Sequence, residues 1–312
     1  MKKRIVAVRP FDLHDSNFKI PIYEEFVKNG GQGIDFRPME KYYRSLAFHI
    51  NLPTIWQNKK EARLRFVEGA SLHFDTFPDY ITYEVIPMFW DCWPRFWKAT
   101  EKFFLKHKVR TAFFTSSQTA EHFRNIFPDM NIFHIPEGIV AVNYHSGKSL
   151  KERNIDYLEY GRCSLVIDST KLDSEIKVLS SRTDYDKLIG VDRLSNALAD
   201  SKIVVTLTRN DNQPEIAEGI DTLTQRYWEC MLSGVVMLGR APQELIDIIG
   251  YDPVIHLDIN NYICQIKEIL ANIQNYQSLV DRNRLSALKY ADWSHRAKML
   301  MTCLSNLGYI IL

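Results

Sequence analysis

The sequence carries no glycine-rich phosphate loop of the Walker or dinucleotide type, so neither ATP hydrolysis nor NAD binding is expected. Its five cysteines (Cys92, Cys163, Cys230, Cys264 and Cys303) are odd in number and include no Cys-x-x-Cys pair. That argues against a disulfide frame or a zinc site and suits a reducing cytoplasm. No run approaches the roughly 18 apolar residues of a membrane span. The opening MKKRIVAVRPFD has a charged head, but its apolar stretch ends at Arg9-Pro10, which reads as a first strand and not a signal peptide. A surplus of one charge is also missing, with 39 Lys+Arg against 38 Asp+Glu. Residues 1–150 hold 21 basic against 16 acidic side chains and the remainder 18 against 22, too mild an asymmetry for a nucleic-acid binder. His14, His49 and His73 lack metal spacing, and no carboxylate cluster supplies it, so no metal and no cofactor is expected. What the 312 residues do contain, 46% hydrophobic and 25% charged, suffices for about two domains with a substantial core.

Short apolar runs alternate with helical stretches along most of the chain. Residues 5–8 read as a buried strand, 20–29 as a helix closed by Gly30-Gly31, and 45–50 as a second strand. Residues 54–67, rich in charge, read as a helix, 80–86 as a strand, 94–107 as a helix, 111–115 as a strand, 118–126 as a helix and 131–135 as a strand. After a turn at Pro136-Glu137-Gly138 the alternation resumes, with strands at 156–160, 203–207, 235–238 and 254–257. Helices are expected at 186–199, at 242–249 with Pro242 in the first turn, and at 263–273, 276–290 and 295–307. The pattern predicts an α/β protein with parallel sheets covered on both faces.

The stretch from Gly219 to Gly239, GIDTLTQRYWECMLSGVVMLG, concentrates the chemistry. Thr222 and Gln225 have the spacing of a capping box, Tyr227, Trp228, Met231 and Leu232 recur at helical spacing, and Gly234 provides the stop. Arg226 falls in the first turn of that helix, where the positive end of the macrodipole disfavours a cation by roughly 0.3–1 kcal/mol. An anion held jointly by free backbone N–H groups near Thr224 and by the guanidinium would offset the conflict. Glu229, three residues on, shares the face of Arg226 and is placed to accept hydrogen bonds from sugar hydroxyls. Taken alone, the two residues read first as a surface i,i+3 ion pair.

The segment TLTQRYWECMLSGVVMLGRAPQELIDIIGYDPVI resembles the C-terminal domain of GT-B glycosyltransferases, the group that includes glycogen synthase-like and bacterial polysaccharide-assembly enzymes. Asp221 and Glu229, separated by seven residues and followed by Gly234 and an apolar strand, stand at that group's acid-x7-Glu spacing, with Asp where Glu is usual. The resemblance implies that Glu229 clamps the nucleotide ribose and that Asp221 contacts the donor sugar. It also implies two Rossmann-like domains facing a cleft, residues 1–137 on the acceptor side and 138–312 binding the nucleotide-sugar, with the C-terminal helix crossing back to the first domain. The phrase IPEGI resembles the turn at that hinge, and Trp293 the aromatic residue near the crossing. Gly161-Arg162 resembles the family's Gly-Arg at the diphosphate, and Arg209 is a second cation at a strand end. A solvated loop suits Arg162 equally well, and it is the first reading for Arg209.

Asp91, directly after an expected strand, is a candidate base toward the acceptor, or else the cap of the helix beginning at Pro94. The stretch from Pro94 to Arg110 mixes Phe96, Trp97, Phe103, Phe104 and Leu105 with the basic residues Lys98, Lys102, Lys106, Lys108 and Arg110. It suits peripheral contact with the inner face of the plasma membrane, or an ordinary amphipathic helix covering a sheet. The expectation is a cytoplasmic, metal-independent and retaining glycosyltransferase. Its donor would be a nucleotide-diphosphate-sugar and its acceptor a glycan or lipid-linked glycan. The alternative is a non-catalytic nucleotide- or sugar-phosphate-binding protein on the same fold.

Overall fold

Two parallel sheets organise the chain. The computed structural model describes residues 2–10, 18–35, 42, 46, 52–161 and 166–311. One unit comprises Met1–Pro136, Ile216–Ile220 and Trp293–Leu312, and the other Glu137–Glu215 and Asp221–Asp292. The first contains strands β1 (Arg4–Val8), β2 (Gln32–Ile34), β3 (Glu61–Glu68), β4 (Glu84–Trp90), β5 (Thr111–Phe114) and β6 (Asn131–His134) in the order β2-β1-β3-β4-β5-β6. The second contains β7 (Ile155–Glu159), β8 (Val178–Ser180), β9 (Ser201–Thr206), β10 (Val236–Gly239) and β11 (Ile255–His256) in the order β11-β10-β9-β7-β8. Every ladder is parallel.

A parallel sheet needs cover on both faces, and strand periodicity supplies it. In the second unit Tyr157, Ile203, Val205, Val236 and Leu238 enter one core cluster, while Leu158, Val204 and Met237 enter another. In the first unit the helix Pro94–His107 buries Thr100, Phe103, Phe104 and His107. Its lysines Lys98, Lys102 and Lys106 stay exposed, so the aromatic face of that helix turns to the sheet. Among the described residues no helix is long and apolar enough to cross a membrane. The final helix, Trp293–Asn306, belongs to the first unit and packs on Ile20–Lys28, as expected of a chain that crosses back. Trp293 is 1% exposed and its ring lies 6.1 Å from that of Trp90.

Several expectations change. Residues 54–67 are not a helix: EARLRFVE forms β3, with six of its residues buried. Arg63 and Arg65 lie inside because remote partners satisfy them. Arg65 donates to the carbonyls of Asp75 (2.6 Å) and Phe77 (3.0 Å) and lies 3.3 Å from Asp79, while Arg63 pairs with Glu61 and covers the ring of Tyr83. The charge that reads as part of a helix is here neutralised inside a strand. The strand expected at 80–86 begins only at Glu84, after a 3-10 turn at Asp79–Ile81, and runs through Pro87 to Trp90. The helix expected at 186–199 is broken into Tyr185–Leu188 and Val191–Ala199 by Gly190, whose φ of +89° no helix accommodates. Pro242 is the N-cap and not the first helical residue. The short edge strands β2 and β8 were not foreseen, and the strand expected at 45–50 falls, except for Leu46, outside the described residues.

Candidate functional site at the strand ends of the second unit

In the second sheet the strand order reverses between β7 and β9. Open parallel sheets receive ligands beyond the C-terminal ends of the strands at such a reversal. Tyr160 and Gly161 follow β7, Thr208 and Arg209 follow β9, and Arg240 follows β10.

The helix Gln225–Ser233 has Thr224 as its N-cap with no side-chain cap bond, so the expected Thr222–Gln225 capping box does not form. Remote carboxylates close the helix start instead. Glu137 accepts from the Gln225 N–H (3.1 Å) and its carbonyl from the Trp228 indole (3.0 Å), while Glu244 accepts from the Leu223 N–H (2.7 Å). Gly234, with φ +64°, ends the helix as expected.

Arg226 turns toward the end of β7. Its Nη2 donates to the Tyr160 carbonyl at 3.0 Å and its guanidinium carbon lies 4.8 Å from the centre of the Tyr160 ring. Glycine suits the position beside it: Gly161 has φ +67°, and a Cβ there would stand 2.5 Å from Nη2 and displace the guanidinium. Glu229, one turn on, accepts from the Tyr144 hydroxyl at 3.0 Å through Oε1 and from the Tyr160 hydroxyl at 2.7 Å through Oε2. Among the described residues there is no Arg226–Glu229 ion pair, so a surface i,i+3 pair is not what these side chains form. Burial, reinforced by the nearby Glu229 carboxylate, pushes both tyrosine hydroxyls far above their ordinary range, and they remain neutral donors. The buried Cys230 thiol is pushed up to about 12 and stays protonated.

Asp221 lies in the loop before the helix and is held on both oxygens. Arg240 donates to it through Nη1 (2.7 Å) and Nη2 (2.9 Å), and the Thr208 hydroxyl lies 2.6 Å from Oδ1. Partial burial raises its carboxyl, but the bonds from Arg240 and Thr208 outweigh this and hold it below the usual range. Arg240 also grips Asp211 through Nε (3.1 Å) and Nη2 (2.9 Å).

Solved structures resemble this arrangement of sheets. Sucrose-phosphate synthase from Thermosynechococcus elongatus superposes with a TM-score of 0.60 at 10% identity, over 98% of this chain and 99% of that one. HepE of Anabaena, in complex with UDP, gives 0.58 at 8% identity over 97% and 100%. AviGT4, a glycosyltransferase involved in avilamycin A biosynthesis, gives 0.51 at 11% identity over 98% of both chains. The fold is GT-B. No family model matches the sequence, and no curated protein matches it.

Within the GT-B chain, Arg209 opens the short helix Arg209–Asn212 directly beyond β9 and is half-buried, and Thr224 is half-buried at the helix start. Arg162 lies outside the described residues. Asp91 belongs to the first unit. It stands exposed immediately past β4 with φ +46°, a strained conformation for a residue with a Cβ. The cap of the helix at Pro94 is Trp93, so Asp91 does not serve as that cap. The chain's Asp-x-Asp, Asp184-Tyr185-Asp186, is occupied locally, since Asp184 accepts from Thr183 (2.8 Å) and Lys187 (2.7 Å). Among the described residues no three His, Cys, Asp or Glu side chains are grouped to hold a metal.

Sequence reasoning missed Tyr144, Tyr160, Glu137 and Arg240. Two of these carried a usable signal, because Tyr160 and Arg240 each directly follow a strand end. Tyr144 and Glu137 reach their partners across 85 and 88 residues and carried none.

Proposed function

We propose that the chain is a glycosyltransferase moving a sugar from a nucleotide-diphosphate-sugar to a glycan or lipid-linked glycan acceptor, with retention and without a metal. The observation that carries this reading is Arg226, held at the sheet's point of reversal against Gly161 with Glu229 one turn below. One guanidinium donor is engaged with Tyr160, which leaves others for an anion. Because Glu137 already occupies the Gln225 N–H, the diphosphate draws on Arg226 more than on the bare helix start. Arg162, Arg209 and the backbone at Thr224 complete the diphosphate site, and Glu229 accepts from the ribose. Asp221 meets the donor sugar, and Asp91 serves the acceptor. UDP in HepE supports a nucleoside diphosphate as the leaving group.

In the reaction the bond between the anomeric carbon and the phosphate oxygen breaks and a bond to the acceptor oxygen forms. The acceptor proton passes to the departing diphosphate, whose growing charge is stabilised by Arg226. Work takes place in the cytoplasm, with the basic face at residues 94–110 available to an anionic membrane.

A second reading, a non-catalytic nucleotide-binding protein, is favoured by one observation, the fork that Arg240 already places on Asp221. UDP release from UDP-glucose and other UDP-sugars without acceptor separates the two. Slow turnover that Glu229→Ala abolishes in a folded protein is expected. Tight UDP binding with no turnover of any sugar nucleotide would favour the second reading, and unchanged turnover in Glu229→Ala would remove the ribose assignment.

A further inference from the structure

We infer that Tyr160, seconded by Tyr144, is the positioning residue of the nucleotide site, and that the two hydroxyls make Glu229 selective for a vicinal diol. The inference rests on the nucleotide reading above and adds residues that reading does not contain. Tyr160 is 7% exposed and Tyr144 9%, so neither is placed to be a solvated surface tyrosine.

Three separate groups of Tyr160 act on the helix Gln225–Ser233. Its carbonyl accepts from Arg226, its ring lies under the same guanidinium, and its hydroxyl donates to Glu229 Oε2 at 2.7 Å. Two side chains three residues apart on a helix have independent rotamers. One residue at the end of β7 orders both, which fixes the distance from the diphosphate cation to the ribose carboxylate before any ligand arrives. That order is entropy the ligand does not have to supply on binding.

Tyr144 completes the arrangement. A carboxylate has about four acceptor positions, two on each oxygen. Tyr144 takes one on Oε1 and Tyr160 one on Oε2, so the plane of the carboxylate is set and each oxygen retains a further position. Two parallel acceptors suit two neighbouring hydroxyls of one ring, which is the 2′,3′-diol of a ribonucleotide. A sugar lacking that diol leaves two partly buried acceptors unpaired, which sites built to accept hydroxyls reject strongly.

The experiment is calorimetric titration of the full chain with UDP and with 2′,3′-dideoxy-UDP, after a screen of the common nucleoside diphosphates for the tightest base. The wild type is expected to prefer the ribonucleotide by about a hundredfold. Tyr160→Phe and Tyr144→Phe should each reduce that preference about fivefold to tenfold, with dideoxynucleotide affinity nearly unchanged, because phenylalanine keeps the ring and carbonyl. Tyr160→Leu, which removes the ring face under Arg226, should in addition weaken the dideoxynucleotide, whereas Tyr144→Leu should not. A preference that survives in both phenylalanine variants but falls in Glu229→Ala would overturn the positioning role and leave the nucleotide site standing. An equal loss for both ligands would show a purely structural role and also overturn it. No effect of Glu229→Ala on the preference, or no binding of any nucleoside diphosphate by the wild type, would instead remove the nucleotide reading and the inference with it.

Discussion

Both sheets reverse their strand order beside their first strand, at β1/β3 in one unit and at β7/β9 in the other, yet the charged groups at those points are disposed differently. Beyond β1 and β3, Lys19 is buried and lies 3.1 Å from Glu68 and 3.6 Å from Asp75. Asp75 also takes the Ser71 hydroxyl and the Glu68 N–H. Along the same β3, Arg63 and Arg65 are matched to Glu61 and Asp79. These charges at and along β3 close on one another. Beyond β7 and β9, by contrast, Arg226 is bonded to a neutral carbonyl and Glu229 to neutral hydroxyls, so neither charge is cancelled by its partners. Beside them Arg240 does close on Asp221 and Asp211, so the contrast lies in Arg226 and Glu229, whose charges are ordered but not neutralised and are thereby fitted to a ligand.

The largest effect should therefore come from breaking a closed pair. Asp79→Ala leaves Arg65, 3% exposed, without its carboxylate, and a loss of about 3–5 kcal/mol in urea unfolding is expected. A loss below about 1 kcal/mol would erase the contrast between the units.

Arg226→Leu tests the other side of it. Stability should change by no more than about 1 kcal/mol, since the charge-assisted bond to the Tyr160 carbonyl that is lost is offset by relief of the cation's repulsion from the helix start. Affinity for nucleoside diphosphates should fall roughly tenfold to a hundredfold, the cost of one charge-assisted contact. Arg226→Lys should recover only part, because it keeps the charge without the fork. Equal Kd values across the three proteins would place the phosphate elsewhere.

A smaller effect is expected at His107 in the first unit. The Thr54 hydroxyl donates to the Tyr80 carbonyl (2.8 Å) and so accepts from His107 Nδ1 (3.2 Å), which assigns the Nδ1–H tautomer. Burial, with Lys106 and His73 nearby, lowers its pKa to about 4. Above the unfolded value near 6.5 both states are neutral and its contribution is complete. As pH falls from there toward 4, the unfolded chain takes up a proton that the folded one refuses, and stability declines by roughly 1–2 kcal/mol. His107→Gln should flatten that part of the pH profile, and an unchanged slope would exclude His107 as its source.

No effect at all is expected from chelation. EDTA should leave sugar transfer as it is, and complete loss restored by manganese or magnesium would place a metal where the proposal has none.

Local pattern carried the architecture a long way. Pro94–His107 occupies the helix read from its spacing, and Arg226 and Glu229 project on one face because i and i+3 must. Alternating runs and helices were enough to require parallel sheets, since every crossover buries both faces. The same logic failed at EARLRFVE, where a period of two was masked by charges whose partner, Asp79, lies outside any local window.

The site divides in the same way. The sequence by itself determined which side chains share the helix face, because helical geometry depends only on neighbours along the chain. Only the tertiary structure decided that Tyr160 lies beneath both, that Tyr144 reaches Glu229 across 85 residues, and that Arg240 grips Asp221. The bonds of Tyr160 and Arg240 form because β7, β9 and β10 end side by side. Their adjacency is a property of strand order, which pairwise packing sets and no short stretch of sequence encodes.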